Sequence, residues 1–229
     1  MNQTIKIHAY LARKGVASRR KVEELVAEGL VTVNGRRAII GQRVDPATDE
    51  IAVNGKIMQG YEKKRYFLVY KPVGYISTTR DELLRKNVLF LVPEINERLY
   101  PVGRLDKDSE GLMLLTNDGD LAYRLTHPKF QLRKTYEVTI SGKPSSAALN
   151  HLKRGVKLRE GFVKPDEVVV IENLEGTTVL HITIHQGLNR QIRRMFERIG
   201  YDIIKLVRIR LDIWTLDDLE GRGFKEISV

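Results

Sequence analysis

Gly103-Arg104-Leu105-Asp106-Lys107-Asp108-Ser109-Glu110-Gly111, running on into Leu112-Met113-Leu114-Leu115-Thr116-Asn117-Asp118-Gly119, is the stretch around which the chain is organised. Asp106, Asp108 and Glu110 stand between two glycines, beside Arg104 and Lys107, and directly ahead of an apolar run that reads as a buried strand. Charge delivered to the edge of a core is a candidate chemical site. The acids fall at positions one, three and five of a calcium loop, with Gly111 at position six. Position twelve, which needs a bidentate Glu, is Asn117, and Leu112 to Leu115 form strand where the loop should continue. Two readings remain from the residues alone: a single catalytic carboxylate, Asp106, held beside Arg104, or a solvated acidic turn.

The chain has 229 residues, enough for one large domain or a medium one with a small companion. Lys and Arg number 39 against 29 Asp and Glu, and the net charge of +10 points to a polyanionic partner. Nucleic acid is the first candidate and an acidic membrane surface the rival, but no apolar run is long enough to span a bilayer. The start, Met1-Asn2-Gln3-Thr4-Ile5-Lys6, lacks an apolar signal core, and the absence of cysteine removes disulfides and thiolate metal sites. A soluble, cytoplasmic protein is expected, with no membrane partner.

Residues 5–14 and 18–29 read as two short helices. Gly15 stops the first and Ser18 caps the second, whose apolar stripe is Val22, Leu25 and Val26. Arg13, Lys14, Arg19, Arg20 and Lys21 crowd the turn between them. Cations at a helix start oppose its dipole, so the cluster is read as a set of phosphate contacts. Val31-Thr32-Val33-Asn34-Gly35, then Val44, Ile51, Val53 and Asn54-Gly55, make a small curled sheet. This unit resembles the S4-like RNA-binding domain, through Leu11-Ala12-Arg13-Lys14-Gly15-Val16-Ala17-Ser18-Arg19-Arg20 and Gly29-Leu30-Val31-Thr32-Val33-Asn34-Gly35. The expected organisation is an S4-like domain over 1–57, a linker over 58–64 and a larger domain over 65–229.

The larger domain opens with the strand Tyr66-Phe67-Leu68-Val69-Tyr70 and the turn Lys71-Pro72-Val73-Gly74-Tyr75. Thr78, Thr79 and Arg80 are expected in a loop, and Val88 to Val92 in a short helix or turn. Leu121 to Leu125 reads as a short helix ended by His127-Pro128, Lys134 to Ile140 as an alternating strand, and 145–154 as a helix capped by Ser145. Strands follow near 156–158, 165–171 and 178–185. A helix over Asn189 to Ile199 carries Arg190, Arg193 and Arg194 near its start, where each wants an anion. Strands over 203–211 and 213–216 place Lys205, Arg208 and Arg210 on a basic face. The fold class is α+β with a mixed, mostly antiparallel sheet.

Four motifs in order, Lys71-Pro72-Val73-Gly74, Gly103-Arg104-Leu105-Asp106, Lys134-Thr135-Tyr136 and Gly187-Leu188-Asn189-Arg190-Gln191-Ile192-Arg193-Arg194-Met195, resemble the RsuA-like family of ribosomal RNA pseudouridine synthases. The resemblance covers nearly the whole chain and is nearer to the large-subunit types, RluF and RluB, than to the small-subunit type. It implies that a uridine is isomerised to pseudouridine, a reaction that breaks a C–N glycosidic bond and remakes it as C–C without metal or redox cofactor. By the resemblance Asp106 is the catalytic carboxylate, Arg193 the basic residue that pairs with it, and Tyr136 the ring packed on the target base. Arg104 is expected to fill the space a flipped base leaves or to hold a flanking phosphate. Lys71, Arg190 and Arg194 are assigned to the RNA.

The implied substrate is ribosomal RNA, specifically 23S, and the implied state a monomer. Alternatives are action on 16S ribosomal RNA or transfer RNA, or a non-catalytic RNA-binding assembly factor. The chain departs from the family at Arg208-Ile209-Arg210-Leu211-Asp212 and Glu220-Gly221-Arg222-Gly223-Phe224, where a different C-terminal rim is expected.

Overall fold

The computed structural model describes residues 4–58, 63–79, 85–93, 95 and 97–229. Arg80, most of the expected 58–64 linker and the first three residues lie outside them. The described chain divides into two units, one running to Arg65 and taking in the described residues of 94–99 and Asn117–Gly119, the other holding the rest.

In the first unit, helix α1 (Ile7–Arg13) and helix α2 (Arg19–Ala27) are separated by Gly15, whose φ of +73° ends α1 in a conformation that suits glycine. Ser18 caps α2, its Oγ accepting from Lys21 N at 3.2 Å. Ile7, Tyr10 and Leu11 of α1 meet Val22 and Val26 of α2 over Val31, Val33, Ile51 and Val53 of a small sheet. Asn34-Gly35 and Asn54-Gly55 are the two-residue hairpin loops expected, since Val33 pairs with Arg36 and Val53 with Lys56, and all four loop residues have φ between 49° and 76°. Two expectations are corrected. Ile5–Lys6 is a short strand rather than helix, and Val44 pairs with Ile5 in a separate two-stranded ladder outside the small sheet.

The second unit is built on a nine-stranded sheet. Its path runs 167–174, 177–184, 134–141, 203–211, 110–116, 66–71 and 224–226, with 214–215 added beside 203–211 and 100–102 beside 110–116. Among the described residues the pairings of this sheet are antiparallel except one, between 203–211 and 110–116, which joins Val207 to Glu110 and Arg208 to Gly111. Leu112 to Leu115 are fully buried, as an uninterrupted apolar run requires. Helix α3 (Gly119–Thr126) lays Leu121 and Leu125 on one face of this strand, against Leu112, Leu114, Leu211 and Trp214. Helix α4 (Ser146–Arg154) starts at Ser145, whose Oγ accepts from Ala148 N at 3.1 Å. Helix α5 (Gln191–Arg198) buries Ile192, Met195 and Phe196. It begins two residues later than the sequence pattern suggests, and Arg190 is its cap. No described helix is long and apolar enough to cross a membrane.

The expected basic face on 203–211 is corrected. Lys205 and Arg208 are three apart and pair without a slip between them, so they lie on opposite faces, and the pairing with 134–141 slips on either side of them, between Thr135 and Tyr136 and between Thr139 and Ile140. The extra residues, Ile209 and Ile204, re-aim the chain, as bulges do. Leu206, Val207 and Arg208 are buried in succession, and Arg208 is 1% exposed. Tyr136 lies opposite it.

Candidate active site

The turn from Gly103 to Ser109 leaves the end of the 110–116 strand, and neighbouring groups fix it at several points. Strand 66–71 pairs with 110–116 so that Lys71 lies opposite Gly111, which brings the 71–77 turn alongside. Gly74 N donates to Lys107 O at 2.8 Å. Ser77 Oγ accepts from Leu105 N at 3.0 Å and donates to Leu105 O at 2.8 Å, which holds the residue just before Asp106. Lys71 is wholly buried and donates its Nζ to Ser109 O at 2.6 Å and Pro72 O at 3.1 Å. Burial pushes its pKa down to about 8, against the opposite pull of the Asp106, Asp108 and Glu110 carboxylates. The expectation that Lys71 touches RNA is therefore corrected: its ammonium is an internal tie for the acidic turn.

Gly111 is the residue that allows the strands to meet. Its φ is +112°, and a Cβ there would lie 2.4 Å from Arg208 O and 2.5 Å from Arg208 N. Only glycine lets the parallel pair close at this point. Arg208 donates Nε to Leu112 O at 2.7 Å, while its Nη2 is buried with no hydrogen-bond partner among the described residues. Its charge, added to burial, brings Lys134 down to a pKa of about 8. The Lys134 ammonium donates to Leu132 O and His185 O, both at 3.1 Å. Cations thus stand behind the site on both sides of the strand junction.

In front of them lies a cavity of about 190 Å³, into which Arg104, Asp106, Tyr136, Arg190 and Arg193 all face. Ile184, Leu188, Ile192 and Leu206 supply its apolar wall. This is smaller than the roughly 300 Å³ at which drug-sized sites begin, and suits a single ring. Tyr136 is 8% exposed and sits on the 134–141 strand. Asp106 is half-buried, and Arg104 is exposed and forms no ion pair among the described residues.

The arginines of α5 do not pair as expected. Arg193 was matched to Asp106, but its Nε lies 3.3 Å from Asp108 Oδ2 and its Nη2 donates to Asp108 O at 2.8 Å. That Nε is buried and poorly aligned for a hydrogen bond, so the contact is electrostatic. Arg190 donates Nη1 to Asp108 Oδ1 at 3.0 Å. Burial by itself raises the pKa of Asp108, but the Arg190 hydrogen bond and the charges of Arg193 and Arg190 outweigh it and hold the carboxyl below its usual value. The resemblance gives Asp108 no role. It is the anion around which two site arginines are arranged, and the spacing of two carboxylates on one turn does not reveal which of them is chosen. Arg190 reaches it from a left-handed backbone, φ 48° and ψ 34°. Arg194 points elsewhere, to Glu160 at 2.7 Å on the turn of the 156–158 and 161–163 hairpin.

Gln191 was also missed. Buried at the start of α5, it accepts from Leu188 N at 3.1 Å through its side chain and shapes the 187–190 turn. Of the basic residues around α2, Lys21 pairs with Glu24 at 2.7 Å and Lys14 lies over the Tyr10 ring at 5.3 Å, whereas Arg19 and Arg20 are exposed.

Comparison with known proteins adds a name to this arrangement. A model described as RNA pseudouridylate synthase matches residues 65–198, and one described as S4 domain matches residues 5–51. Ribosomal large subunit pseudouridine synthase B of Bacillus subtilis is 45% identical over 97% of this chain and 92% of its own length. An uncharacterized RNA pseudouridine synthase of Aquifex aeolicus is 37% identical over 98% of this chain and 90% of its own. A solved pseudouridylate synthase shares the fold, with a TM-score of 0.69 at 24% identity, over 98% of this chain and 96% of that one. With the family model covering more than half of the sequence and relatives matching almost all of it, the chain belongs to the RNA pseudouridylate synthase family, with an S4 domain ahead of the catalytic one.

Proposed function

We propose that the protein isomerises a uridine of ribosomal RNA, in the 23S molecule of the large subunit, and that Asp106 is its catalytic carboxylate. The observation that carries the reading is a cavity with space for one ring that Asp106 and Tyr136 both line, together with Arg104, Arg190 and Arg193. The large-subunit activity named for the Bacillus subtilis relative supports this target. In the reaction the N1–C1′ bond breaks, the uracil turns within the pocket, and C5 bonds to C1′. The proton lost from C5 is balanced by one gained at N1.

Each residue follows from its place. Asp106 acts as nucleophile or as stabiliser of the developing cation at the sugar or base. The Tyr136 ring is the surface on which the base stacks, and its hydroxyl assists removal of the C5 proton. A base inside folded RNA must first be extruded, at a cost of a few kcal/mol, and exposed Arg104 is placed to fill the vacancy or hold the adjoining phosphate. Arg193, fixed by Asp108, brings positive charge to the rim beside Asp106, and Arg190 at the same rim meets RNA phosphates, whereas Arg194 is engaged by Glu160. The S4 domain over 1–57, joined by 58–64 to a catalytic domain over 65–229, grips structured RNA through Arg13, Lys14, Arg19, Arg20 and Lys21. We take the enzyme to be a cytoplasmic monomer.

The Asp106→Asn variant tests the mechanism. It is expected to form no pseudouridine in 23S transcripts while its RNA affinity stays within a few fold of wild type. Retained activity would sink the assignment.

A further inference from the structure

The end of α3 and the turn after it carry a feature the proposed chemistry leaves unused. Tyr123, His127 and Phe130 form a cluster of rings on the surface. Tyr123 and His127 are 4.7 Å apart between centroids, and Tyr123 meets Phe130 edge-on at 6.0 Å and 89°. Such rings are usually buried, yet Tyr123 is 48% and Phe130 43% exposed. The ammonium of Lys129 lies over both, 5.2 Å from the Tyr123 centroid and 4.7 Å from that of Phe130. Between Leu121 and Lys134 there is no acidic residue, whereas Arg124, Lys129 and Arg133 are all exposed.

The cluster adjoins the catalytic turn. Thr126, the residue before His127, has its Cγ2 3.9 Å from where a Cβ of Gly103 would stand, and Gly103 precedes Arg104 on the cavity rim. Exposed rings set among exposed cations match the surface that single-stranded nucleic acid seeks, where bases stack on rings and phosphates meet the charges. We propose that Tyr123 and Phe130 form a stacking platform for an unpaired base of the substrate RNA, close to the flipped uridine. On binding, Lys129 leaves the rings for the adjoining phosphate and the base takes its place. An apolar protein partner would have no use for the basic surround, and the surround has the sign that RNA requires. This inference rests on the reading of the protein as an RNA-modifying enzyme, although it concerns affinity rather than chemistry.

The test compares wild type with Phe130→Ala, Phe130→Leu and the double variant Tyr123→Ala/Phe130→Ala, using 23S ribosomal RNA transcribed in vitro. Affinity is measured across a salt series, thermal midpoints are recorded, and ultraviolet crosslinks are mapped by peptide mass spectrometry. The double variant is expected to bind about 5- to 150-fold more weakly with an unchanged salt slope, since stacking involves no counterion release. Phe130→Leu, which keeps apolar bulk without the ring, should lose affinity as well, and crosslinks should fall on Tyr123 or Phe130 in wild type. Unchanged RNA affinity would overturn the platform and leave the patch to a protein partner. A loss in the two alanine variants that tracks a lowered midpoint, with the Leu variant as tight as wild type, would overturn it in favour of a packing role. If wild type makes no pseudouridine in this RNA but the rings still govern binding, the proposed function fails and the platform stands.

Discussion

Two arginines converge on Asp108, and the reason is geometric. The Arg193 side chain is only 16% exposed and meets both the carboxylate and the backbone carbonyl of Asp108, while Arg190 closes the pair from outside. Because the Asp108 carboxyl is held below its usual value, its stabilising contribution is present above the unfolded pKa and is lost as pH falls through the folded one. Exposed pairs contribute only about 0.2–1 kcal/mol, so Asp108→Asn should barely move the unfolding midpoint. It should still lower kcat/KM by about tenfold or more by freeing the two arginines, as steady-state kinetics on 23S transcripts would show. Lys71 makes the opposite case. Its pKa, lowered to about 8 from 10.5, means that the unfolded chain binds more protons between those values. Its charge therefore costs stability at neutral pH, and that cost is relieved as pH rises from about 8 to 10.5. In Lys71→Met, denaturant titrations at pH 7.5 and 10 should show less gain on going to the higher pH than wild type, by on the order of 1–3 kcal/mol. Neither Lys71 nor Arg208 is legible as buried from sequence, since a basic residue that ends a strand reads the same whether it meets phosphate or an inward carbonyl.

At the scale of elements, the junction of the 110–116 and 203–211 strands decides whether the site exists. Gly111→Ala would set a methyl group against the backbone of Arg208, which cannot move aside as a side chain could. The variant is expected to lose more than about 2 kcal/mol in chemical denaturation, with activity lost alongside. Most elements were legible: the buried run Leu112 to Leu115, the Ser18 and Ser145 caps, the Asn-Gly loops and the apolar stripe of α5 all follow from local chemistry. The parallel pairing was not, and neither was the short 224–226 strand beside 66–71. Both depend on partners over ninety residues away in sequence, and no local period records them. Lys205 and Arg208, three apart with no slip between them, point to opposite faces, and the bulge at Ile209 breaks the alternation that would put Arg208 on a face with Arg210. The helix start at Gln191 rests on Arg190 in the left-handed region, a conformation that costs about 1 kcal/mol or more for a residue with a Cβ. Arg190 adopts it while its guanidinium holds Asp108.

At the scale of the whole molecule, a net charge of +10 needs somewhere to act. Arg19 and Arg20 stand exposed in the first turn of α2, where the helix dipole disfavours them, and no ion pair opposes them among the described residues. Arg19→Ala/Arg20→Ala should weaken RNA binding and reduce the slope of log K against log salt by about 1–2, whatever the RNA sequence. An unchanged slope would move the grip away from this helix.

The single parallel junction has one more consequence. Asp106 hangs from the half of the sheet made by 66–71 and 110–116, whereas Tyr136 and α5 belong to the half made by 134–141, 177–184 and 203–211. The cavity takes residues from both halves, whose backbones pair at Val207 with Glu110 and Arg208 with Gly111. A nascent chain cannot assemble its catalytic centre until Arg208 has been synthesised, whereas the S4 core is complete by Val53. The growing polypeptide thus acquires its hold on RNA long before it acquires its chemistry.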